Sequence, residues 1–268
     1  MSPLVARLVA DGTYLRAMLG AGALLLPVAG VVLGIVGGLD MHGSAATPAA
    51  VILGLIAVVG ALDALSGALA MAALIVVMLV TGSLTSADSV RTLMGLAIIA
   101  FGPALIAGSV RPMRRGRDDY DGWERLADFV VIPLLGGYIV QNLVSALSGL
   151  SGYAVPIVSH ANAIAIAVVV ALLARVSLEE LAARAYPARI RAVAPIDLPD
   201  PPIAQRVIAI LIRGAVFGFL AAAFIGLCWQ LWLGIALFIV GQLVGVIAPL
   251  LPNSTTLFHL TPVGVTKI

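Results

Sequence analysis

The chain has 268 residues, 62% of them hydrophobic and only 10% charged, against roughly 25% charged residues in an ordinary soluble domain. So few charges cannot cover a water-exposed surface, which excludes a soluble enzyme, a nucleic-acid-binding module and a disordered chain. The formal net charge of +2 comes from 14 Arg, one Lys and 13 acids, and the single cysteine, Cys228, excludes an intrachain disulfide or a thiolate metal cluster.

Residues 1–16 open with Ser2-Pro3, a helix-start pattern. Leu4, Val5, Leu8 and Val9 share an apolar face, which suits a short helix on the inner membrane surface. The run 17–39 follows without a charge; its apolar part, about 22 residues, exceeds a signal-peptide core and reads as a true span. Further uncharged runs cover 41–62, 64–87, 92–110, 129–174 and 214–266. A helix crosses the hydrocarbon in about 20 residues. The 129–174 run therefore holds two crossings, broken at Ser148-Gly149-Leu150-Ser151-Gly152. The stretch from Pro202 to Leu250 holds two more, with a turn near Trp229–Trp232. Eight helices are predicted: 17–38, 47–62, 65–83, 90–110, 128–148, 156–175, 203–227 and 232–250. The fold class is all-α, a polytopic transmembrane helical bundle forming a single integral membrane domain over 1–268. Asp63 marks the turn between the second and third helices; were it mid-membrane, the count would fall to seven.

Basic residues near span ends set the orientation. Arg7 and Arg16 precede the first span, Arg111, Arg114, Arg115, Arg117 and Arg125 follow the fourth, and Arg175, Arg184, Arg189, Arg191 and Arg206 lie between the sixth and seventh. The connections 39–46, 149–155 and 228–231 carry none. Eight spans place all basic segments on one side, with Arg91 near the outer end of span four the one exception, so both termini, the loops 111–127 and 176–202 and the tail 251–268 are expected in the cytoplasm. The preference for Arg over Lys, with abundant Ala, Gly and Val, points to a GC-rich bacterial genome and a multi-pass protein of the plasma, or inner, membrane.

Several features along the chain carry chemistry. Gly30, Gly34 and Gly38 recur every four residues in span one, and Gly214 and Gly218 do so in span seven; such spacing lets helices approach closely, within the bundle or between chains. Pro27, Pro103 and Pro133 are expected to kink spans one, four and five. Ser177-x-x-Glu180 is a capping box; it predicts a new amphipathic helix from 177 to Pro187, then an extended arm through Pro195, Pro199, Pro201 and Pro202. In the loop after span four, Asp118-x-x-Asp121-Gly122 has the spacing that opens the CDP-alcohol phosphotransferase signature, but the Ala-Arg pair is displaced and the second Gly-Asp-Asp block is missing, so that activity is not expected.

Intramembrane charges are functional-site suspects by default. Arg213 lies roughly 17 Å along its helix from Pro202 at about 1.5 Å per residue, and Asp63 and Asp128 on the same side are its candidate partners. Spans five and six hold a polar patch including Gln141, Asn142, Ser145, His160 and Asn162; His160 is either a proton carrier or a hydrogen-bond partner of Asn142. The candidate substrate or ion path is therefore Asp63, Asp128, Arg213, Asn142, His160 and Asn162. No Walker loop, His-Glu-x-x-His, Gly-x-Ser-x-Gly or Rossmann pattern occurs, so no cofactor, metal site or catalytic residue is expected. The kinked spans, Arg213 with Asp63 or Asp128, and the polar patch around Asn142 and His160 fit a small transporter or permease for a solute or lipid; the lack of any catalytic motif and the glycine faces fit a non-catalytic scaffold or anchor subunit of a larger membrane complex. Expected partners are membrane lipids and either further copies or other membrane chains, with no nucleic acid.

Overall fold

The structure is a computed structural model that describes residues 8–41, 49–110, 122–149, 156–193 and 202–247. Every regular element among them is helical. The chain forms two compact units, Met1–Ile196 and Asp197–Ile268. In the first, a turn of helix at residues 8–11 leads to α1 (Thr13–Leu19), followed by α2 (Leu25–Met41), α3 (Ala49–Leu62), α4 (Ala64–Val80), α5 (Ala87–Val110), α6 (Gly122–Leu126), α7 (Ile132–Ala146), α8 (Ala161–Ala185) and α9 (Pro187–Val193). The second holds α10 (Ile203–Ile225) and α11 (Trp229–Ile247).

Apolar helices occupy all eight predicted stretches. Five are long and apolar enough to cross a membrane: Thr13–Met41, Ala87–Leu105, Ala127–Gly149, Ile157–Ala185 and Ile203–Ile225. Three are shorter, Ala50–Leu62, Ala64–Val80 and Trp229–Val244. The bundle exterior is apolar: Val28, Val32, Ile35, Leu79, Leu134, Ile166 and Val170 are all exposed, as lipid-facing side chains are.

Small residues set the packing. On α2, Gly30, Gly34 and Gly38 run along α4, where a Cβ would meet Ser66 O at 2.4 Å, Ala70 O at 2.0 Å and the Val77 side chain at 2.8 Å. The two numberings rise together, so α2 and α4 are parallel, and α3, which joins them in the chain, is antiparallel to both. Gly60 of α3 and Gly67 of α4 both press on Ala100 O of α5, and Gly136 and Gly137 of α7 press on Leu172 and Val169 of α8. In the second unit, Gly214 and Gly218 of α10 receive Ile239 and Ile235 of α11. At Gly30, Gly34, Gly60 and Gly67 the missing side chain lets two backbones approach closely, and at the other glycines it makes room for a side chain of the facing helix.

Several expectations change at this level. Span one is interrupted: α1 stops at Gly20, whose φ of +55° suits glycine, and a short 3₁₀ turn, Gly20–Leu24, precedes α2. Pro27 consequently falls in the first turn of α2, where a missing N–H breaks no helical bond. Pro133 follows a π-helical segment, Ala127–Val131, within a helical run that begins at Gly122. Pro103 lies well inside its helix. The capping box at Ser177 does not start a helix. α8 runs unbroken to Ala185, and the Ser177 hydroxyl donates to Leu173 O one turn back. Leu4 and Val5 of the expected interfacial face lie outside the described residues. Residues 8–19, which are described, strap the end of the bundle: Leu8 packs with Ala64 and Ala104, and Tyr14 and Leu15 pack with Ala182. The Arg cluster at 111–117, Asp118, Asp121, the arm through Pro201 and the tail 251–268 lie outside the described residues.

Candidate functional site

The helix directions bring the C-termini of α3 and α8 and the N-terminus of α4 to one end of the first unit, beneath the strap. Three carboxyl groups and one guanidinium meet there. Arg175 of α8 is 1% exposed. Its two Nη atoms grip both oxygens of Asp11 on the strap, at 2.5 and 2.9 Å, the fork-on-carboxylate geometry of a strong ion pair. Its Nε donates to Glu179 Oε1 at 3.0 Å one turn along α8, and Nη1 also reaches Ala61 O at 3.3 Å. Tyr14 of the strap lies against the guanidinium, with its ring centre 6.0 Å away, and donates its hydroxyl to Leu62 O at 2.5 Å.

Asp63 fills the one-residue gap between α3 and α4 and caps α4. Its Oδ2 accepts from Ser66 N at 3.1 Å and from the Ser66 hydroxyl, the standard role of an aspartate at a helix N-cap. The Ala64 N–H, also at the start of α4, donates to Asp11 Oδ2 at 2.8 Å. The other oxygen of Asp63, Oδ1, is buried with no donor. Gly12 closes over it, since a Cβ there would lie 2.6 Å from Oδ1. Burial pushes the Asp63 carboxyl above the ordinary carboxylate range; the Ser66 hydroxyl opposes this, and the neighbouring Asp11 charge adds to it.

The remaining candidates are dispersed. Asp128 is 2% exposed and stands on the π segment before α7; π turns are frequent where a helix carries function. Asn142, His160 and Asn162 are at the opposite end of the first unit and are exposed. There the α7–α8 hairpin is joined by Gln141 Nε2 donating to Asn162 Oδ1 at 2.7 Å, while Asn142 donates to Tyr138 O at 2.7 Å and His160 Nδ1 pairs with the Ser159 hydroxyl at 2.9 Å. Arg213 belongs to the second unit, where its Nη1 reaches Gln242 Oε1 of α11 at 3.4 Å. Among the described residues, no three His, Cys, Asp or Glu side chains converge as metal ligands do.

The sequence reading selected Asp63 but not Asp11, Arg175 or Glu179. One signal for them was present: Arg175 and Glu179 are four apart, hence stacked on one helix face. Compared with known proteins, the chain matches no family model, no curated protein and no solved structure.

Proposed function

We propose that this chain is a small permease of the bacterial plasma membrane, moving a solute or lipid, with eight crossings and both termini in the cytoplasm. One observation carries the reading: two buried carboxyl groups stand where the helix geometry changes, Asp63 in the gap between α3 and α4 and Asp128 on the π turn before α7. Ionisable groups are costly in such surroundings and persist where they serve a path, and interrupted helices are where transporters place their sites. Lipids, and further copies or other membrane chains, are its proposed partners.

The second reading is a non-catalytic membrane subunit, favoured by the glycine-to-backbone contacts between α2 and α4, which are those of a solid bundle. Thiol accessibility separates the two. With Cys228→Ser as background, Asp128→Cys in sealed vesicles is expected to react with a membrane-impermeant thiol reagent applied from either face. A permease exposes its path to each side in turn, whereas a solid bundle protects the position from both. Protection from both faces overturns the permease reading.

A further inference from the structure

Beneath the strap, among the described residues, the carboxyl groups of Asp11, Asp63 and Glu179 gather around one buried guanidinium, that of Arg175. Among the described residues, the strap brings Asp11, Tyr14 and Arg16 to this end; α8 brings Arg175 and Glu179, and the start of α4 brings Ser66. From α3 come only the carbonyls of Ala61 and Leu62. The charges of α2 and α5 lie at their other ends, Asp40 on α2 and the Asp88–Arg91 pair on α5. The Arg175 donors go to Asp11, Glu179 and Ala61 O. Arg16 turns back onto its own segment, toward Val9 O and Thr13 Oγ1. Among the described residues no guanidinium is therefore directed at Asp63, which is 4% exposed and has a second carboxylate, Asp11, beside it.

A carboxylate in that position lacks a counter-charge and leaves Oδ1 without a donor. Such a group is relieved by taking up a proton or a cation. A cation needs several oxygens at roughly 2.3 Å or more, and among the described residues no three acidic or imidazole side chains converge to supply them. A proton needs no such ligand set. We propose that Asp63 is a proton-binding site, with the proton held on Oδ1 at neutral pH while Oδ2 keeps the cap of α4. The step is simple: a hydronium ion gives its proton to the Asp63 carboxylate, leaving a water molecule and a neutral carboxyl, and no electron moves. The site is positioned by Gly12, which shields Oδ1, and by Asp11, whose charge favours the protonated form. The inference deepens the permease reading by naming the ion, yet its test reads proton occupancy and not flux or path access, so either can fail without the other.

Infrared difference spectroscopy on the full-length protein in lipid bilayers tests it, with pH as the variable. Wild type is expected to show at neutral pH the carbonyl stretch of a protonated carboxyl that disappears on alkaline titration. Asp63→Asn keeps an oxygen to cap α4, so the chain folds, and that component of the spectrum is lost. Ser66→Ala removes the hydroxyl that favours the charged form while leaving the main-chain N–H bond; it is expected to move the titration to higher pH. Wild-type and Asp63→Asn spectra with the same protonated-carboxyl component overturn the proposal, and so does a wild-type spectrum with no such component at neutral pH.

Discussion

Arg175 ties the N-terminal strap to two helices at once, because its fork takes both oxygens of Asp11 while its Nε serves Glu179. Removing the guanidinium leaves two buried carboxyl groups without their counter-charge, a loss of about 3–5 kcal/mol by the usual cost of breaking a buried pair. Arg175→Ala is therefore expected to lower the unfolding temperature in detergent clearly, and adding Asp11→Asn to recover part of the loss. An unchanged unfolding temperature in the single variant would show that the strap does not depend on this pair. How legible these residues were follows from where charges ordinarily sit. Asp63 stands between two long uncharged runs, so it is conspicuous in the sequence. Asp11 and Arg175 each stand at the edge of an apolar run, where a charge normally meets water, and they are 164 positions apart. Nothing local marks such a pair as buried. Within its own unit Arg213 contacts an uncharged partner, Gln242.

Helices were the most readable feature, since a run of about 20 uncharged residues has few other uses than to cross lipid. Their ends were less so. Ser177-x-x-Glu180 has the spacing of a helix start, but Arg175, Glu179 and Ala182 lie on one buried face of α8 against the strap, and that packing carries the helix through. The 3₁₀ turn after Gly20 puts Pro27 in the first turn of α2, whereas Pro133 follows the π turn at Asp128 inside a helical run that starts at Gly122, a place where helices bend. The glycine spacing of α2 allowed contacts within or between chains. Along α4 it serves an internal contact so close that one added side chain has nowhere to go. Gly34→Val, whose Cβ would fall 2.0 Å from Ala70 O, is expected to destabilise the bundle by about 1–3 kcal/mol or more. Gly102→Ala meets only Ile98 at 3.5 Å and is expected to be neutral or slightly stabilising, since alanine orders more readily in a helix. Equal unfolding temperatures for the two variants would contradict the packing described for α2 and α4.

At the scale of the whole molecule, the low charge content and the apolar exterior agree on a membrane setting. The helix directions in the first unit add a constraint that composition lacks. The N-termini of α2, α4 and α7 and the C-termini of α3, α5 and α8 share one end, where Asp11, Asp63, Asp128 and Arg175 all lie. Asp40 and the α7–α8 hairpin turn share the other. The permease reading and the proton site both need this charged end at one membrane face, reached through an even number of crossings, although α3 is only 14 residues, or about 21 Å of helix. The most direct measurement is the sidedness of single cysteines, Asp40→Cys and Gly116→Cys, in the Cys228→Ser background, labelled with an impermeant reagent in sealed vesicles of known orientation. Eight crossings predict labelling of Asp40→Cys from the outer face and of Gly116→Cys from the cytoplasmic face; labelling of both from the same face would contradict the arrangement.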